Sequence, residues 1–236
     1  MNIIKDIQRS FFDSSEHQYN QDLILNPPLH CVVEYEYIRT AITAPFTPGV
    51  KMRVADYGAG SGRMTIPSLQ AGYQVTAVDI SPKSLSNLQK VAKDMNLKNL
   101  TVAKELPHKE TFDAIIGADV LHHVDIDREL PTLYKGIKKG GVIAFSEPSA
   151  YNIAWYLYLP FASSWSVEQG MLQCRAGNLI TLCKKHGFKN VKIVGMGLLP
   201  TPIFNKWSVL CRLNYTLGNL PLIKLFAYRY LLVASK

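Results

Sequence analysis

The chain has 236 residues, 47% of them hydrophobic and 19% charged, with a formal net charge of +8. That is enough apolar side chain for a sizeable core, and it excludes a disordered chain. The four cysteines (31, 174, 183 and 211) show no CxxC pairing, the N-terminus carries Lys5, Asp6 and Arg9, and the most apolar region, 198–223, is broken by Lys206, Arg212 and three prolines; these features argue against a zinc or disulfide framework, a signal peptide and a membrane span, and leave a cytoplasmic chain with reduced thiols as the simplest reading.

Residues 1–50 are acidic and contain a helical stretch, "HCVVEYEYIRTAI", expected to form an N-terminal lid. From residue 51, short β-branched runs alternate with helical ones, the signature of a parallel sheet with crossover helices. "MRVADY" (52–57) reads as a first strand running into the glycine-rich "DYGAGSGR". A helix is expected from about Arg63 to Ala71, then a strand, "YQVTAVDI" (73–80). "SPKSLSNLQKVAKDM" opens with Ser81 at the N-cap and Pro82 at the first helical position, a strong helix start. "LTVA" (100–103) and "FDAIIGAD" (112–119) follow as strands, the second apolar enough to lie centrally. A helix over about 127–138 is predicted to end at Gly140-Gly141, before a fifth strand, "VIAFSE" (142–147). Two insertions, 151–174 and 198–226, flank a helix and a sixth strand (188–195), and "RYLLVAS" (229–235) reads as the last strand.

A strand, a glycine turn and a helix start form a nucleotide- or anion-binding corner, because bare backbone lets a ligand approach the exposed N–H groups. A Walker loop, GxxxxGK[ST], is absent, and Arg63 stands where a GxGxxG fingerprint needs its third glycine. The pattern is instead Asp56-x-Gly58-x-Gly60-x-Gly62, with Asp79 closing the second strand 19 residues after Gly60. Without a ligand, the same residues would make a plain strand-to-helix turn, and Asp79 would cap the following helix.

The loop, the acid, "FDAIIGADVLHHV" and "GIKKGGVIAFSEP" occur in an order that resembles class I S-adenosylmethionine-dependent methyltransferases of the small-molecule type, over residues 51–147. The resemblance implies an α/β, Rossmann-like doubly wound sheet of seven strands, mostly parallel with the last antiparallel, within a single domain spanning 1–236. It implies S-adenosyl-L-methionine as cofactor. Gly58, Gly60 and Gly62 would lie against its methionine part, and Asp56 would hold the loop and attract its ammonium group. Asp79 and Ile80 would meet the ribose, Gly117 and Ala118 the methionine end, and Glu105 or a backbone group the adenine. No metal is expected.

Methyl transfer to a hydroxyl also needs a base, and His122 and His123, after the fourth strand, titrate in the right range. Glu147, ending the fifth strand, is a further catalytic candidate; a structural role is the plainer alternative for all three. For the acceptor, Tyr19 in the lid and Tyr151, Trp155 and Trp165 in an uncharged aromatic run are candidates, either as pocket walls or as the core of a helical cap. The last third, 151–236, holds ten Lys/Arg against one acid, Glu168. That asymmetry fits a solubility surface, or attraction to an anionic or lipid-like acceptor, a membrane surface or an acidic carrier. A nucleic-acid acceptor is disfavoured: "NPPL" (26–29) has Leu29 where an aromatic should stack on a flipped base, and it precedes the glycine loop. A non-catalytic binding protein of the same fold is the remaining alternative.

Overall fold

A computed structural model describes residues 21–107, 111–162 and 165–236. A helical turn, Gln21–Leu25, leads to α1 (Leu29–Thr43), whose N-cap is Pro28, so "NPPL" is a helix start. The alternation then runs β1 (Arg53–Tyr57), α2 (Thr65–Gln70), β2 (Gln74–Val78), α3 (Pro82–Asp94), β3 (Leu100–Ala103), β4 (Phe112–Ala118), α4 (Ile126–Gly136) and β5 (Ile137–Pro148). Beyond it come α5 (Ile153–Ala162), a short turn Trp165–Glu168, α6 (Ala176–Lys185), β6 (Lys189–Met196), α7 (Ser208–Leu217) and β7 (Arg229–Ser235).

The strands form one seven-stranded sheet in the order β3-β2-β1-β4-β5-β7-β6. β1 to β5 pair in parallel, and β7 runs antiparallel between β5 and β6, with Glu147 opposite Tyr230. The chain reverses its direction of growth between β1 and β4, so the crevice at their carboxyl ends is where ligands of such sheets bind. Local signals explain the boundaries. The Ser81 hydroxyl accepts from Ser84 N at 3.1 Å and caps α3, with Pro82 at its first position. Asp125 caps α4, which also carries Asp127 and Glu129 in its first turn.

The fifth strand differs from the expectation. It starts at Ile137, and Gly140-Gly141 lie inside it rather than ending the helix. The register steps from Phe112↔Ile137 to Ala114↔Val142, so 138–141 bulge out, and Gly140 takes φ +80° where the bulge turns.

Each face of the sheet is covered. Ile38 and Ile42 of α1, Ile66 of α2, Leu88 of α3 and Tyr215 of α7 share one apolar cluster beneath it. Leu130 and Leu133 of α4 and Leu179 and Cys183 of α6 fill the other. The predicted lid helix therefore packs into the core through Val33, Ile38 and Ile42, all fully buried. All four cysteines are buried free thiols. Among the described residues, no helix is long and apolar enough to cross a membrane.

Candidate active site

Three segments meet at the crevice: the loop after β1, the end of β2, and the loop after β4. Gly58, Gly60 and Gly62 all adopt positive φ, at +75°, +51° and +107°. Their reasons differ. A Cβ on Gly58 would come within 2.4 Å of Val120, and one on Gly62 within 2.5 Å of Leu88, so both are bare because neighbours press on them. A Cβ on Gly60 would meet nothing within 4 Å. Of these three, Gly60 is the one that faces open space.

Asp79 faces the same loop. Its Oδ2 accepts from Gly60 N at 2.7 Å and its Oδ1 from Ser81 N at 2.8 Å, so one carboxylate ties the loop to the start of α3. Ile80 beside it is exposed. Asp56 sits below the loop, 1% exposed, accepting from the Thr65 hydroxyl at 2.6 Å. Burial pushes its carboxyl up to about 7. Gly117 is buried where a Cβ would strike Phe145 and the Tyr57 carbonyl; Ala118 is half-buried, and Glu105 is exposed on the loop after β3.

The loop after β4 is held by Glu147. This carboxylate is fully buried in β5; Oε1 accepts from Val120 N at 3.0 Å and Leu121 N at 2.8 Å, and Oε2 lies 2.6 Å from His122 Nδ1. The opposite nitrogen, Nε2, lies 3.2 Å from Glu168 Oε2. Burial alone would lower the His122 pKa, but the two carboxylates outweigh it and hold it up at about 10. His122 is thus a buried imidazolium clamped at both ends. The His123 ring lies 3.9 Å from it, centroid to centroid. Burial, then the positive charge of His122, push His123 down to about 4, so it stays neutral. His122, His123 and Glu168 each offer one ligand atom within 4.8 Å of the others, a grouping that could hold a metal ion.

A second charged cluster braces the crevice from the other side. Arg229, from β7, donates to Asp119 at 2.6 Å and pairs with Glu34 of α1 at 3.0 Å. Arg63, at the end of the glycine loop, donates to Asp119 at 2.7 Å. The Ser146 hydroxyl bonds Glu34 and accepts from Arg229. The two guanidinium groups outweigh burial and keep Asp119 well below the usual carboxylate range. Asp119 itself sits at φ +57°, left-handed backbone that aspartate adopts more readily than most residues.

The sequence placed Asp56, the glycines, Asp79, His122, His123 and Glu147 at one edge, and the structure brings them together there. Glu34, Arg63, Arg229 and Glu168 were missed as site residues. Their signals were an acid inside an apolar helix, the arginine displacing a glycine, a cation opening an apolar strand, and the sole acid of the last third. The aromatic candidates divide. Trp155 stacks on Tyr228 at 4.4 Å and donates its indole N–H to the Tyr228 carbonyl at 2.6 Å, while Tyr151 is exposed. Tyr19 lies outside the described residues; Trp165 opens a helical turn, but its side chain is likewise outside them.

Residues 33–193 match the model of a methyltransferase domain family. Among curated relatives, a ubiquinone biosynthesis O-methyltransferase of Rickettsia canadensis is 27% identical over 135 residues, which are 55% of this chain and 57% of that one. An uncharacterized methyltransferase of Mycobacterium tuberculosis is 34% identical over 95 residues, 40% of this chain and 39% of that one. The chain thus spans about half the length of the curated relatives it matches. Phosphoethanolamine N-methyltransferase 2 of Haemonchus contortus, solved with S-adenosyl-L-methionine, superposes with a TM-score of 0.64 at 17% identity, over 97% of this chain and 59% of that one. A methyltransferase from Thermotoga maritima gives 0.63 at 18% identity, over 97% and 99%. With the sheet order, the antiparallel β7 and the match over most of the sheet, the chain belongs to the methyltransferase domain family, in the class I fold that works with S-adenosyl-L-methionine.

Proposed function

We propose that this chain transfers a methyl group from S-adenosyl-L-methionine to a hydroxyl or amine of a small or amphipathic acceptor. The observation that carries this is the division of the crevice. Bare backbone at Gly60 and the Asp79 carboxylate lie on one side, and a neutral His123 beside a fixed cation lies on the other. The residues present fit the cofactor: Gly60 leaves open a surface that any side chain would fill, and Asp79 stands at the end of β2, where a ribose diol can be received. Gly58, Gly60, Gly62, Ala118 and the backbone at Gly117 would hold the methionine end, Asp79 and Ile80 the adenosine, and Glu105 the adenine. When bound, the cofactor supplies an electrophilic methyl on a sulfonium.

The chain's own task is alignment and proton handling. Asp56 braces the end of the loop from below through Thr65, and an ammonium group bound above it would favour its ionised form. Glu147 acts as a positioning residue: it fixes the backbone of 120–121 and the His122 ring, and so the place of His123. Neutral His123 accepts a hydrogen bond from the acceptor's hydroxyl or amine, takes the proton that becomes acidic as the bond to the methyl forms, and releases it to solvent. A base held as low as about 4 abstracts weakly, so most of the rate comes from orientation and exclusion of water. Tyr151 and the exposed face of α5 border the acceptor's side.

Calorimetric titration with S-adenosylhomocysteine tests this reading. Micromolar binding by the wild type, weakened at least about tenfold in Asp79→Ala, is the expected result. No binding by a folded wild type would sink it.

A further inference from the structure

The insertion between β6 and β7 is built like a surface made to be covered. α7 turns Cys211, Asn214 and Tyr215 inward. Asn214 accepts from Leu198 N and Leu199 N, both at 3.0 Å, and Tyr215 donates to the His30 carbonyl at 2.9 Å, so the inner face is fully engaged. The outer face carries Val209, Leu210, Leu213 and Leu217, with Val209 79% exposed. The turn that follows is pressed onto β6, where Gly195 N donates to Asn219 at 3.2 Å. It presents Leu222 at its tip, 80% exposed and held at φ +67°. A β-carbon-bearing apolar residue in left-handed backbone, standing in water, costs stability twice without serving the core.

Charge decides what covers this surface. Residues 198–226 contain no acid, and the neighbouring α5 contains no charge of either sign. Glu36 of α1 is the nearby carboxylate, and it is already paired with Arg212 at 2.6 Å. Lys206 and Lys224 remain exposed beside Trp207 and Phe226, which are themselves 55% and 58% exposed. Aliphatic residues, a tryptophan, a phenylalanine and lysines, with the nearby Glu36 already paired, match an anionic bilayer, where apolar side chains enter the acyl boundary and cations meet the headgroups. Asn152, just before α5, donates to the carbonyls of Leu198 and Phe226, so this surface is fastened to the start of α5, which the proposed function sets beside the acceptor.

We infer that the α7 face and the Leu222 turn form a docking surface for anionic lipid bilayers. The surface stands independently of methyl transfer. Its consequence, that the acceptor is drawn from the bilayer, rests on the proposed function.

The test is flotation of the full chain with vesicles of phosphatidylcholine alone and with about one-third phosphatidylglycerol, alongside Val209→Asp and Leu222→Asp. Both substitutions suit their backbone: Val209 is in the first turn of α7, where an acid is favoured, and aspartate tolerates left-handed φ. The expected result is binding to the phosphatidylglycerol vesicles, lost in high salt and weakened at least about tenfold in each variant. S-adenosylhomocysteine affinity should be unchanged, so each reading can fail alone. No binding to either vesicle, binding indifferent to both substitutions, or self-association abolished by them without vesicle binding would each overturn the inference.

Discussion

Glu147 and His122 are locked at 2.6 Å with neither side chain more than 4% exposed, and Glu147 also holds the backbone leading into that histidine. The strand thereby dictates the loop, and a buried charge is the fastening.

That fastening gives the protein a pH signature. The His122 pKa is raised in the fold, to about 10 from an ordinary 6.5. Its contribution to stability is therefore complete below pH 6.5 and is lost as pH climbs to about 10. Thermal denaturation should show a falling midpoint between pH 7 and 9.5 in the wild type. Glu147→Gln should lower the midpoint at pH 7 by roughly 10 °C, the size expected for breaking a buried pair, and flatten that alkaline fall.

The glycines should separate by role. Gly60→Ala retains the fold, at a cost of about 1 kcal/mol for its positive φ, while its methyl enters the cofactor's space. S-adenosylhomocysteine binding should drop at least about tenfold. Gly58→Ala and Gly62→Ala collide with Val120 and Leu88, so their loss should appear first in the denaturation midpoint. Equal effects at all three positions would refute this division.

His123 should act in turnover and not in cofactor affinity. His123→Ala is expected to cut kcat by about 10²-fold with S-adenosylhomocysteine binding unchanged. Because burial and the His122 charge hold it at about 4, the wild-type kcat should show no acid limb from pH 8 down to 5. A limb near 6.5 would mean that the ring titrates freely.

Methyl transfer should survive exhaustive chelation. The nitrogen that His122 would offer a cation is engaged by Glu168 at 3.2 Å, and its other nitrogen by Glu147. Activity that disappears in chelator and returns with one divalent ion would show that the cation replaces this ion pair.

Arg229 balances Glu34 and Asp119 together. Arg229→Met should destabilise by about 3–5 kcal/mol, since two carboxylates lose their buried partner. Denaturant titration measures it; a change under 1 kcal/mol would mean that water or Arg63 compensates.

What could be read in advance followed local rules. Ser81-Pro82 announces its helix, the β-branched runs announce their strands, and the glycine run with Asp79 marks the crevice, because caps, periodicity and bare backbone act over a few residues. The misreadings needed distance. Gly140-Gly141 look like a helix stop, yet the helix ends at Gly136 and the pair is a bulge, which only the pairing with β4 reveals. Glu34 and Arg229 are 195 positions apart, and nothing near either one signals the other. Glu168 was visible as a lone acid, but its target became plain only once the insertion folded back beside His122.

The place of β7 also sets an order of assembly. It is the last strand in sequence, yet it lies between β5 and β6 and pairs with both. As the polypeptide emerges from the ribosome, β5 and β6 must wait as open edges, each able to recruit a stray strand. The strand that joins them also delivers Arg229, so sheet closure and neutralisation of the crevice acids are one late event. Folding should therefore be slow, dominated by long-range pairing between β5 and β7.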